Sequence, residues 1–227
     1  LRRYCHLGTG NYNPSTARLY EDVGLFTADP VIGADVAELF NSLTGFSRFG
    51  DYRRLIVAPF AMRDALVELI EAERAKGTAG RIVAKMNSLA DPTLILALFR
   101  ASNAGVRIDL VVRGVCRLRP GLPGLSENIR VCSVVGRYLE HSRIYQFGEG
   151  PDALILLGSA DLMPRNLDGR VETLVPVDDP RCRDRIEEIL TLNLADDTNT
   201  WTLDRFGQWH RRPAERGLSV QAELHRR

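Results

Sequence analysis

The chain has 227 residues, is 44% hydrophobic and 26% charged, and carries a formal net charge of +1. That length buries one large core or two smaller ones, and the near-neutral balance gives no global field for nucleic acid, so an anion site has to come from local clusters of arginine. No apolar run reaches membrane-spanning length, nothing resembles a secretory leader, and Cys5, Cys116, Cys132 and Cys182 form no C-x-x-C pair, so reduced thiols and a cytoplasmic location are expected.

In chain order, "CHLGTGNYN" at residues 5–13 comes first, a turn in which Gly8, Thr9, Gly10 and Asn11 can present backbone N–H groups to a phosphate. An ordinary turn fits as well. Asn13 stands where a dinucleotide-binding turn has its third glycine, and there is no G-x-x-x-x-G-K-[ST]. Val36, Leu39, Phe40 and Leu43 recur at helical spacing before Gly45, which predicts a helix over 34–44. Strand 55–58, helix 61–75, strand 81–86, helix 92–104 and strand 108–112 follow, the second helix marked by Asp91, Pro92 and Gly105. Such alternation predicts an α/β fold with helices on a sheet and strand-end loops free for chemistry. Runs 129–135, 143–147, 153–157 and 171–177 are strand-like, and a helix is expected over 183–194. Residues 201–227 hold six arginines against three acids and are expected to be a basic tail packed by Trp201, Phe206 and Trp209, or a solvated extension.

Two stretches concentrate chemistry. In "RYLEHSRIYQF", residues 137–147, His141 and Arg143 are two apart in a β-like segment and share a face. In "LGSADLMPRNLDGRVE", residues 157–172, Gly158 and Ser159 turn out of an apolar strand, and Asp161, Arg165, Asn166 and Arg170 follow. An H-x-R strand followed by G-S-x-D resembles the second half-site of the phospholipase D-like fold, where H-x-K and G-S/T-x-N come from each of two halves. "GTGN" at 8–11 resembles the close of the first half. Its H-x-K is expected upstream of Leu1, and the chain, which starts without Met, is taken as a piece of something longer.

Within that superfamily, "HLGTGNYN", "TARLYED", "LVVRGVC", "SENIRV", "RYLEH" and "SADLMPRN" resemble, in order and spacing, the C-terminal half of bacterial polyphosphate kinases that form a phosphohistidine. The resemblance runs from about Arg3 to about residue 200. It implies a phospholipase D-like mixed sheet flanked by helices, with residues 1–50 closing a first catalytic domain, 51–200 forming a second, and 201–227 a tail. It also implies reversible transfer of the terminal phosphoryl of ATP to inorganic polyphosphate with Mg²⁺, in a cytoplasmic protein that is homo-oligomeric at full length. Tyr20 then matches a nucleotide-contacting tyrosine, and Arg113 and His141 match contacts to the ATP phosphates. The phosphorylated histidine and the Mg²⁺ ligands fall upstream, so these 227 residues alone are expected to be inactive.

The residues have their own logic. Phosphoryl transfer needs placed positive charge and an in-line nucleophile. Arg113, before Gly114 at a strand end, suits a bidentate phosphate grip, or is simply a surface arginine. His141 suits a proton donor or cationic clamp, or a carbonyl-bonded structural histidine; Tyr20 suits adenine stacking or a half-buried core position. Ser159, Arg165 and Arg170 join the phosphate-binding candidates, and His6, outside any H-x-K, receives a supporting role. Asp161, a carboxylate near a polyanion, is expected to orient His141 or an arginine, and adjacent antiparallel strands would bring it to His141. Arg143 and Gly148 depart from H-x-K-x-x-x-x-D and argue against a phosphodiesterase; a non-catalytic nucleotide- or polyphosphate-binding module remains the other alternative.

Overall fold

The computed structural model describes residues 2–46, 50 and 52–226. The first segment holds β1 (Cys5–Gly8), β2 (Tyr20–Glu21), β3 (Gly24–Thr27) and α1 (Pro30–Leu43). The expected junction at residue 50 falls beside residues 47–49 and 51, outside the described residues. Then come β4 (Ile56–Ala58), α2 (Met62–Ala75), β5 (Arg81–Met86), α3 (Pro92–Asn103), β6 (Arg107–Val112), β7 (Ile129–Val134), β8 (Leu139–Glu140) and β9 (Arg143–Phe147). The chain closes with β10 (Leu154–Gly158), α4 (Pro164–Gly169), β11 (Glu172–Pro176), α5 (Pro180–Ala195), β12 (Thr200–Leu203), β13 (Trp209–Arg211) and α6 (Val220–His225).

Three helices start on the same device. Asp29, Asp91 and Asp179 each accept hydrogen bonds from the first-turn N–H groups, and Pro30, Pro92 and Pro180 fill the position whose N–H has no partner. The device carries α1 and α5 further toward the N-terminus than the apolar spacing alone predicts.

Nine strands form one mixed sheet in the order β13-β12-β7-β6-β5-β9-β10-β11-β4, parallel from β5 through β7 and antiparallel elsewhere. β5 is buried along its whole length because both faces are covered. Ile82, Ala84 and Met86 face a core shared with Met62, Leu66 and Ile70 of α2 and Leu94, Leu98 and Ala101 of α3. Val83 faces the other core, with Ile32 and Leu39 of α1 and Ile186, Ile189 and Leu190 of α5. This is the expected mixed α/β sheet flanked by helices. Among the described residues no helix is long and apolar enough to cross a membrane. The four cysteines are free, and burial pushes Cys116 up to about 11 and Cys132 to about 12, which leaves both as thiols near neutrality.

The C-terminal segment corrects the expectation of a tail. β12 pairs with β7 and with β13, and Val220 of α6 is fully buried. Backbone pairing ties the segment down, whereas Trp201, Phe206 and Trp209 stay partly exposed. The alternation Thr200, Trp201, Thr202, Leu203 is a strand signal that the arginine count obscures.

Candidate functional site

The candidate site lies at the end of the sheet where the central strands β5 and β6 finish and β9 begins. Thr9 follows β1, is buried, and donates its hydroxyl to Asp22 Oδ1 at 2.7 Å while accepting from Val23 N at 2.9 Å. A Cβ on Gly10 would collide with the Asp22 carboxylate, so glycine is required for this close approach. The Thr9 hydroxyl thus holds an acid, Asp22, that closes the "TARLYED" stretch without standing out there as a site residue.

Asp22 in turn holds His141. Its Oδ1 lies 2.8 Å from Nδ1, which favours the tautomer with the proton on Nδ1 and leaves the lone pair on Nε2. Tyr20 packs on the same imidazole, ring centroids 4.6 Å apart and planes at 42°. Arg143 Nη1 is 3.2 Å from Nδ1 and 3.1 Å from Nε2. An atom nearly equidistant from both nitrogens at that range must lie over the ring, so the guanidinium covers a face of the imidazole.

Of the two partners expected for Asp161 the structure gives it the arginine: it pairs with Arg143 and does not orient His141. The antiparallel register places Gly158 opposite Arg143, and the turn after β10 therefore delivers its acid to the arginine. Asp161 Oδ2 accepts from Arg143 Nη2 at 3.0 Å, and Oδ1 accepts from the backbone N–H of Asn87 at 2.7 Å and of Ser88 at 3.1 Å. With Nη1 also donating to Thr9 O at 2.8 Å, every nitrogen of the buried Arg143 guanidinium has a protein partner. Arg143 therefore buttresses His141 and has no free edge for a phosphate.

Arg113 is the opposite case. Its Nε donates to Asn87 Oδ1 at 2.8 Å, and among the described residues neither Nη group has a partner. The Asn87 amide also donates to His141 O at 3.3 Å, so one buried side chain fixes Arg113 and the His141 backbone together. Asn87 escapes notice in the sequence because a lone Asn after a strand looks like turn punctuation.

Other candidates are not brought into this cluster. His6 is exposed on β1, bonded through Nε2 to the Tyr12 hydroxyl and packed on Phe26 at 4.4 Å. The Ser159 hydroxyl accepts from Thr173 N at 3.3 Å. Arg165 and Arg170 are exposed in and beside α4, with Arg170 4.0 Å from Glu172.

Directly behind the site lies a second ionic group. Lys85, 1% exposed, sets Nζ 2.9 Å from Glu21, 3.0 Å from Glu140 and 2.6 Å from Ser142 Oγ. Burial opposes all three charges. Lys85 and the Ser142 hydroxyl overcome it for Glu21, whose carboxyl is held below its usual range, and the two carboxylates keep the lysine above its own. Glu140 goes the other way, raised by burial and by the neighbouring Glu21.

Among the described residues no group of three or more His, Cys, Asp or Glu side chains is placed to hold a metal ion. What the geometry offers is an Asp-held imidazole beside an arginine with two Nη groups unpartnered among the described residues, both at the same end of the central strands of an α/β sheet. Such a pair can hold an oxyanion. Residues 55–223 match the model of the polyphosphate kinase C-terminal domain 2, and residues 1–49 that of C-terminal domain 1. The chain belongs to the polyphosphate kinase family. It is 56% identical over 212 residues to polyphosphate kinase 1 of Chlorobaculum tepidum, and 54% identical over 228 residues to the polyphosphate kinase of Synechocystis. The crystal structure of a polyphosphate kinase from Porphyromonas gingivalis covers 99% of this chain at 41% identity, with a TM-score of 0.93. The chain spans about 30% of the length of the curated relatives it matches.

Proposed function

We propose that this chain is the C-terminal catalytic portion of a polyphosphate kinase that reversibly moves the terminal phosphoryl group of ATP onto inorganic polyphosphate. The observation that supports it best is the pairing of Asp22 with His141 next to the unpartnered Nη groups of Arg113, with Asn87 bracing both. Arg113 grips phosphate oxygens bidentately. His141, its Nδ1 proton held by Asp22, presents Nε2 to a phosphate oxygen and exchanges a proton there as charge develops. Tyr20 borders the nucleotide beside the imidazole it packs against. The phosphorylated histidine and the residues that would hold Mg²⁺ belong, on this reading, to parts of the protein outside these 227 residues, and the metal would supply charge neutralisation at the phosphates. We place the full-length protein in the cytoplasm as a homo-oligomer.

The test is polyphosphate synthesis from ATP by the full-length protein and its His141→Gln variant. A loss of about 10²-fold in kcat with an unchanged melting temperature is expected. Wild-type protein that binds ATP yet neither makes nor consumes polyphosphate would overturn the assignment.

A further inference from the structure

The catalytic pair is assembled from two distant stretches of chain, and what joins them is short. β2 and β8 have two residues each and pair in parallel, Tyr20 with Leu139 and Glu21 with Glu140. Two residue pairs contribute little pairing by themselves. Yet Tyr20 and Asp22 flank Glu21, and His141 follows Glu140, so the alternation of the strands sends Glu21 and Glu140 one way and the site residues the other.

We infer that Lys85 is a positioning residue for the transfer reaction: by bridging Glu21 and Glu140 it locks residues 20–22 against residues 139–141 and so sets Asp22 and Tyr20 on His141. The inference rests on the function proposed above for His141. Further contacts converge on the same lock. Ser142 Oγ donates to Glu21 Oε2 at 2.8 Å, and His141 N donates to Glu21 O at 3.1 Å. Gln221 of α6 donates to Glu140 Oε1 and to Tyr138 O, both at 2.8 Å, and accepts from Tyr138 N at 3.0 Å. The first segment and the strand before the site thus meet at one ammonium group, and the C-terminal helix braces Glu140 from the other side of its carboxylate. A lysine is a poor choice for stability alone, since an apolar side chain would fill β5 without burying three charges. It suits a role in which two carboxylates must be drawn to one fixed point.

The test needs a signal at His141 that general destabilisation leaves alone. The chain has four histidines, and nitrogen-15 imidazole spectra distinguish the tautomer of each. Lys85→Met is expected to lose the Nδ1-protonated signature of His141. Ser142→Ala, a milder change that removes one bond to Glu21 and one to Lys85, is expected to weaken that signature in a chain that stays folded. Asp35→Asn, a lesion at a buried carboxylate bonded to Arg54 and Leu55 in another part of the molecule, is expected to leave it intact. In the full-length enzyme Lys85→Met should lower kcat about ten-fold or more, with the KM for polyphosphate within two-fold. An unchanged His141 tautomer in both Lys85→Met and Ser142→Ala overturns the inference, as does an equal loss in Asp35→Asn. Wild-type protein with the Nδ1 signature but no polyphosphate chemistry would sink the proposed reaction and leave the lock standing.

Discussion

The two ends of β5 make an instructive contrast, since both are crowded with charge and only one leaves an arginine without a carboxylate partner. At the start of the strand Arg81 pairs with Asp109, sets Nε 3.2 Å from Glu149 and donates to Arg107 O at 3.1 Å. Arg130 grips the same Asp109 at 2.7 and 3.1 Å, and Arg107 pairs with Glu149. Each of these three arginines is matched to a carboxylate. Past the end of β5 the balance differs: Asp161 is consumed by Arg143, Asp22 by His141, and Arg113 is left with a neutral amide. Charge density therefore does not identify the site; surplus positive donor capacity, held rigid by an uncharged partner, does.

The largest effect should come from breaking the saturated end. Asp109→Ala leaves the buried Arg81 with Glu149 and Arg107 O only and releases the exposed Arg130 to solvent, and a loss of about 3 kcal/mol in unfolding free energy is expected by denaturant titration, with kcat preserved in folded protein. Arg113→Ala should show the reverse in the full-length enzyme, costing about 3 kcal/mol of transition-state stabilisation in kcat/KM while the melting temperature stays put. Equal damage to stability by both variants would erase the contrast. Asp22→Asn sharpens it further: the amide fits the same space but no longer favours the Nδ1 proton, so kcat should fall about 10²-fold, or roughly 2.7 kcal/mol, with folding spared.

The smallest expected effect is a pH dependence away from both ends. Burial disfavours the charge of Asp35, but the hydrogen bonds it accepts from Arg54 N, Leu55 N and Arg53 outweigh that and hold the carboxyl below its usual range. A depressed folded-state pKa gives stability that is complete above the unfolded value, about 3.9, and is lost as pH falls through the folded value. Asp35→Asn should therefore cost on the order of 1 kcal/mol at pH 7 and progressively less below about pH 4, as read from urea midpoints. A gap that stays constant down to about pH 2 would show that the carboxylate's charge contributes nothing.

Much of the central sheet is legible in the sequence because its strands alternate with helices of clear apolar period: β5 has the expected limits and α3 ends one residue short of them. The Asp-Pro start stands out at Asp91 because a clean apolar period follows it, and is easily passed over at Asp29 and Asp179, although the chemistry is the same. His141 and Arg143 are visible because two residues on one strand face must meet. The acid on His141 is not, since 119 residues separate it from Asp22 and β2 is too short to carry a pattern. The partner of Asp161 turns on a register that no motif encodes: one alternate position along β9 decides whether the turn serves His141 or Arg143. Lys85 does leave a trace. A lone lysine inside "RIVAKM", a strand apolar on both faces, demands buried counter-charges, and that demand is written in the six letters themselves.

The hairpin of β12 and β13 has one more effect, on how such a sheet stays solitary. β13 is the outermost strand on its side and has three residues, all exposed, ending in Arg211. Arg212 folds back, its N–H bonded to Thr200 O at 2.9 Å, and Pro213 follows with no N–H to offer. A short, cationic edge that stops at proline gives another chain almost no ladder to extend. Were the segment removed, β7 would become the edge, with its six residues and an apolar inner face open to strand addition, and the protein would be expected to polymerise.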